Sequence, residues 1–160
     1  DEGKENLFAG RCDVYTTDAS GLSSTRAAAS NPDKWVVLPE IISKEPLGPL
    51  VRHGDHQWGD VVRWSLNAMI IAEELGITSE NVDAQLGSNV PEVLRLLGVE
   101  GSYGEMLELA PDWAYQIIKQ IGNYSESYEA NVGPDTPLEI ARGLNALWTQ
   151  GGILYAPPFR

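Results

Sequence analysis

The feature that most constrains this chain is the run from Trp58 to Leu75. Val61, Val62, Leu66, Met69 and Ala72 recur near helical spacing. A second row, Trp64, Ala68, Ile71 and Leu75, covers the neighbouring face. A helix apolar over so wide an arc must be covered on more than one side. Gly76 follows directly and suits a left-handed C-terminal residue. The run is broken by Asn67, Glu73 and Glu74, and no apolar stretch reaches the roughly 18 residues needed to span a bilayer.

Around this helix the punctuation is uneven. Gly10 to Asp18, Lys34 to Leu38 and Leu47 to Arg52 are rich in β-branched and aromatic residues and predict short strands. Ala19 to Ala29 predicts a helix, and Asn31-Pro32-Asp33 and His53-Gly54-Asp55 predict turns. Beyond Gly76 only helices are expected. Ser102 with Glu105 has the spacing of a capping box, and Asn89 with Pro91 and Glu92 is a less standard start. Thr136-Pro137-Leu138-Glu139 combines a cap, a first-turn proline and a returning carboxylate, predicting a helix with Leu138, Ala141, Leu144 and Trp148 on one face. Trp113, Ile117, Ile118 and Ile121 line another, stopped at Gly122. The tail from Gly151 to Arg160 is expected to lie extended over the helices, since its prolines forbid a helix. Strands confined to the first third are few for an α/β sheet, and the chain begins at Asp1 without methionine. Together these suggest that partner strands belong to a longer protein.

The 160 residues carry 23 acids against 11 bases, a net charge of −12. This argues against nucleic acid and against an anionic membrane surface as partner, because both are held by Lys and Arg. The single cysteine, Cys12, excludes an internal disulfide. It either pairs with a cysteine outside this chain or stays a small buried hydrophobe, and burial is the favoured reading.

Catalytic and metal constellations are hard to assemble. His53 and His56 lack a third ligand at a recognisable spacing and read as a surface turn. Cys12 has no neighbouring base, and the glycines are too scattered for a phosphate loop. Glu73, Glu74 and Glu105 fall where solvated helix faces or caps are expected. One carboxylate stands apart. Asp18 ends a predicted strand among small hydroxyl residues, Thr16, Thr17 and Ser20. It either caps the helix opening at Ala19 or accepts charge-assisted bonds from a ligand ammonium, and the two roles are compatible. No cofactor and no metal site are expected.

The stretch Gly10-Arg11-Cys12-Asp13-Val14-Tyr15-Thr16-Thr17-Asp18-Ala19-Ser20 resembles the second crossover strand of type II periplasmic solute-binding proteins, specifically the general L-amino-acid-binding branch serving ABC importers. Leu38 to Pro49, Asn123-Tyr124 through Asn131-Val132-Gly133, and the ending from Leu147 to Arg160 fit the same branch, so the resemblance runs from about Leu7 to the C-terminus. It implies an α/β receptor of two lobes, of which this chain is a C-terminal part with few strands and a helix-rich extension. Residues 1–18 would be the end of lobe two and the hinge-return strand, 19–75 the late part of lobe one, and 76–160 a helical extension. It implies a periplasmic location, an L-amino acid ligand and an ABC permease as partners, and no enzymatic activity. The ligand's α-ammonium group is assigned to Asp18 and, more weakly, a contact to Thr17. The family's carboxylate-gripping arginine has no counterpart here, since Arg11, Arg26 and Arg52 do not occupy its motif, and the chain alone is expected to bind amino acids poorly. The alternatives are an enzyme on the same fold, of dehydratase type, and a helical docking module beyond Leu75.

Overall fold

In the computed structural model, which describes residues 2–160, the chain folds as helices joined by extended segments. It divides into two compact units, one formed by Asp1–Leu47 with Asn131–Ala141, the other by Gly48–Ala130 with Arg142–Arg160.

The second unit holds the main core, and the wide-arc helix is its centre. Helix α3, numbered in chain order after α1 (Glu2–Phe8) and α2 (Ala19–Ala27), spans His56–Glu74. Asp55 caps it by accepting from the Trp58 amide at 3.2 Å, and Gly76 closes it at φ +68°. The second of the two expected rows is the deep one. Ala68 and Ile71 are buried, Ala72 joins them, and Trp64 and Leu75 pack at the margin, whereas Trp58 and Leu66 remain exposed. Against this stripe lies α7 (Trp113–Ile121), with Trp113, Ala114 and Ile118 buried, and α4 (Val82–Gln85) packs on α7 through Val82. Helices α5 (Pro91–Leu96), α6 (Tyr103–Met106) and α8 (Tyr124–Asn131) complete the unit's helical part.

The C-terminal tail is part of that core. Phe159 is 5% exposed, with its ring 5.2 Å from Trp64, 5.3 Å from Tyr103 and 6.2 Å from Trp113. Its carbonyl accepts from Arg95 Nε at 3.0 Å. The tail is extended, as its prolines require, but it is inserted among the helices rather than laid over them.

Three expectations fail for identifiable reasons. Among the described residues the predicted strands at 10–18, 34–38 and 47–52 join no sheet: Gly10 turns at φ +67°, Lys34 ends a 3₁₀ turn (Pro32–Lys34), and the remainder is irregular backbone. A strand needs a neighbour to take its amides and carbonyls, and among the described residues only an isolated bridge, Leu147 with Leu154, has that pairing. The helix predicted from Thr136 does not form. Thr136 Oγ1 donates to the Gly133 carbonyl at 2.8 Å and accepts from the Leu138 amide at 3.2 Å, closing a local turn instead of a cap. Glu139 then sits at φ +52°, outside helical space, and only short 3₁₀ turns follow at Gly143–Asn145 and Trp148–Gln150. The capping boxes are also misplaced. Ser102 precedes α6 without a side-chain cap bond, and Val90 rather than Asn89 precedes α5. The reciprocal box is Asn123-Tyr124-Ser125-Glu126. Asn123 Oδ1 accepts from the Glu126 amide at 3.0 Å, and the Glu126 carboxylate accepts from the Asn123 amide at 2.8 Å.

Candidate functional site

The first unit positions the carboxylate singled out above. Asp18 is extended, at φ −60° and ψ 155°, and is the N-cap of α2. Its Oδ1 accepts from the Gly21 amide at 2.7 Å and from the Ser20 hydroxyl at 2.5 Å. The capping reading is therefore correct. It leaves the other oxygen nearly unused: Oδ2 has the Thr17 hydroxyl at 3.4 Å, a long contact. The Ser20 hydroxyl and then the Gly21 amide hold the Asp18 carboxyl below its ordinary value of 3.8. The group is thus anionic at neutral pH, with Oδ2 available to one more donor. Gly21 makes this compactness possible, since a Cβ there would lie 2.8 Å from Asp18 Oδ2 and 3.1 Å from Thr17 Cγ2.

Thr17 is exposed beside this oxygen, so the two predicted site residues are brought together. Among the described residues no arginine hydrogen-bonds to them. Arg11 donates to Asn6 at 2.9 Å, and Arg26, at the far end of α2, pairs with Glu139. Cys12 is a free thiol and only half-buried, not the core residue expected. His53 is exposed in the turn before α3 and His56 is exposed as its first residue, and among the described residues no cluster of His, Cys, Asp and Glu has the arrangement of a metal site.

The second unit contains polar constructions that sequence reasoning missed. Glu73, expected on a solvated face, has a side chain only 9% exposed and takes both its oxygens to Arg142 Nη2, at 3.0 and 3.1 Å. The Arg142 guanidinium also lies 5.3 Å from the ring centres of Tyr124 and of Tyr128, and donates to the Asn145 carbonyl. Burial pushes both tyrosine hydroxyls up from their ordinary value. No sequence signal joins residues 73 and 142, since they meet only through the fold. Nearby, a cavity of about 190 Å³ is lined by Ile71, Glu74, Leu75, Glu92, Trp148 and Tyr155, among others, with Glu74 accepting from Trp148 Nε1 at 3.0 Å.

Comparison with known proteins places this geometry. No protein-family profile matches the chain. It is 57% identical over 160 residues to the glutamate/glutamine/aspartate/asparagine-binding protein BztA of Rhodobacter capsulatus. It is 58% identical over 154 residues to the general L-amino acid-binding periplasmic protein AapJ of Rhizobium johnstonii. The chain is a homologue of the periplasmic amino-acid-binding proteins of ABC transporters. It spans about half the length of these binding proteins, 47% of BztA and 45% of AapJ. Among solved structures, an ABC transporter periplasmic binding protein from Brucella ovis with glutathione bound superposes at a TM-score of 0.93 with 52% identity, over 99% of this chain and 50% of that one. The fold is therefore that of a part of a periplasmic binding protein, as the resemblance of the Gly10–Ser20 stretch implied. Among the described residues no helix is long and apolar enough to cross a membrane.

Proposed function

We propose that this chain forms part of the extracytoplasmic receptor of an ABC importer for L-amino acids, in which Asp18 takes the ligand's α-ammonium group. Residues 1–18 then end one lobe and return the chain through the hinge, and the assembled receptor delivers its ligand to a membrane permease. The observation that carries this reading is the division of labour on Asp18. One oxygen is spent on the helix cap, while the other, beside Thr17, stays charged and available. An ammonium has three donors and seeks such an oxygen, and charge-assisted bonds are about twice as strong as neutral ones. The names of the relatives support the same ligand class.

The test is a chimera in which this chain replaces the matching segment of AapJ, titrated calorimetrically with glutamate and other free amino acids. Binding is expected, and Asp18→Asn should weaken it by about ten- to a hundredfold, the range for losing a hydrogen bond to a charged group. Thr17→Val should weaken it less. A chimera whose affinity ignores Asp18→Asn would reduce the residue to a helix cap and remove the assignment.

A further inference from the structure

The first unit is made of two chain segments far apart in sequence, and an ion pair joins them. Arg26, in the last turn of α2, donates from Nη2 to Glu139 Oε2, across 113 residues. Both partners hold unfavourable states to make this contact. Arg26 Nε is buried without a hydrogen-bond partner, and Glu139 is held at φ +52°, a conformation a residue with a Cβ seldom adopts. Two independent costs converging on one contact mean that the surroundings dictate it, and such concentrations of strain are characteristic of functional positions. The surroundings are a cleft of about 460 Å³ with Ala27, Pro32 and Trp35 from one segment and Pro137 from the other.

The pair contributes little to stability by itself, because the Glu139 side chain is 60% exposed and exposed ion pairs are screened. What it supplies is direction. Helix α2 has nine residues and acts as a rod about 13 Å long. Its N-terminus carries Asp18, Ser20 and Gly21, and its last turn carries Arg26. Pinning one end of a short rod fixes where the other end points. We propose that Arg26 and Glu139 are a positioning pair for the amino-acid site, with the 131–141 segment holding α2 so that the available Asp18 oxygen stands where the ammonium arrives. This inference rests on the receptor reading above and adds to it a determinant that does not touch the ligand.

The experiment uses Arg26→Gln, Glu139→Gln, the double variant and Arg26→Lys, each in the AapJ chimera for affinity and in the 160-residue chain for amide hydrogen exchange. Each single variant should weaken amino-acid binding about three- to fivefold, the scale of one exposed ion pair. The double variant should lose no more than either single one, and Arg26→Lys should recover most of the loss. The Gly21 amide, bonded to Asp18 Oδ1, should exchange faster by a similar factor in both glutamine variants. Additive losses, unchanged affinity, or faster exchange confined to the Glu139 and Ile140 amides would overturn the proposal. The exchange readout needs no ligand. If the chimera fails to bind or ignores Asp18→Asn, the receptor reading falls, and Gly21 exchange still decides whether the pair positions the helix.

Discussion

Replacing Phe159 with alanine tests whether the last residues of the chain are core or covering. The ring is 5% exposed and has Trp64, Tyr103 and Trp113 within 5.2 to 6.2 Å. Burying a phenylalanine side chain contributes roughly 1.5–3 kcal/mol. Each well-placed aromatic pair adds about 0.5–1.5 kcal/mol beyond area, though three pairs around one ring do not add fully. The cavity left behind costs more where neighbours cannot collapse, and Trp64 and Trp113 are fixed on α3 and α7. The sum falls at about 3–5 kcal/mol, in line with buried Phe→Ala substitutions generally. The Arg95 bond to the residue 159 carbonyl is to backbone and survives the change, so the loss reports the ring alone. Urea unfolding followed by tryptophan fluorescence should show the midpoint falling by about 1.5–2.5 M, at a slope of about 2 kcal/mol/M. Phe159→Leu should retain more than half of the stability lost in the alanine variant. A loss below about 1 kcal/mol for Phe159→Ala would show that the tail merely rests on the helices and that the core closes without it.

Other outcomes follow from the polar constructions. Arg142→Leu should destabilise by about 3 kcal/mol, because it leaves the Glu73 carboxylate 9% exposed and unpaired, while adding Glu73→Leu should restore most of that; a thermal-melt double-mutant cycle measures both, and additive losses would count against the pairing. Ser20→Ala should raise the Asp18 pKa towards 3.8, since the serine hydroxyl is the largest influence holding it down, and an unchanged carboxyl titration by NMR would contradict the geometry. Lys119 holds the Asp83 carboxyl below its ordinary 3.8, with Tyr115 assisting, and Asp83 in turn raises the Lys119 ammonium above 10.5. The α4–α7 link therefore persists across neutral pH. It is lost as pH falls through the lowered Asp83 value or rises through the raised Lys119 value. Lys119→Met should move the Asp83 titration upwards in NMR, and titration of Asp83 at or above 3.8 in the unaltered chain would refute the pairing.

What the sequence made legible was whatever depends on near neighbours. The arc of α3, its end at Gly76, the α7 face with Ile118 and the stop at Gly122 were all readable from spacing. The Asp18 cap was readable too, because aspartate is a leading N-cap residue and a helical run opens at Ala19. The failures share a different cause. A β-branched run states a preference for extended backbone but not whether a neighbouring strand is there to pair with it, and among the described residues 35–38 and 47–52 join no sheet. Thr136 carried every local mark of a helix start, yet its hydroxyl turned back to Gly133, and Glu139 meets a partner, Arg26, more than a hundred residues away. Glu73 looked solvated because its cover, Arg142 between two tyrosine rings, arrives only with the fold.

The extended stretch from Val36 to Leu50 has a consequence for handling the protein. Val36, Leu38, Ile41, Ile42, Leu47 and Leu50 are each more than 65% exposed. Backbone with no ladder to leave can thread into a protease cleft without first unfolding anything. Trypsin should therefore enter at Lys44 well before it reaches Lys119 in α7, making this stretch the natural place to nick the chain.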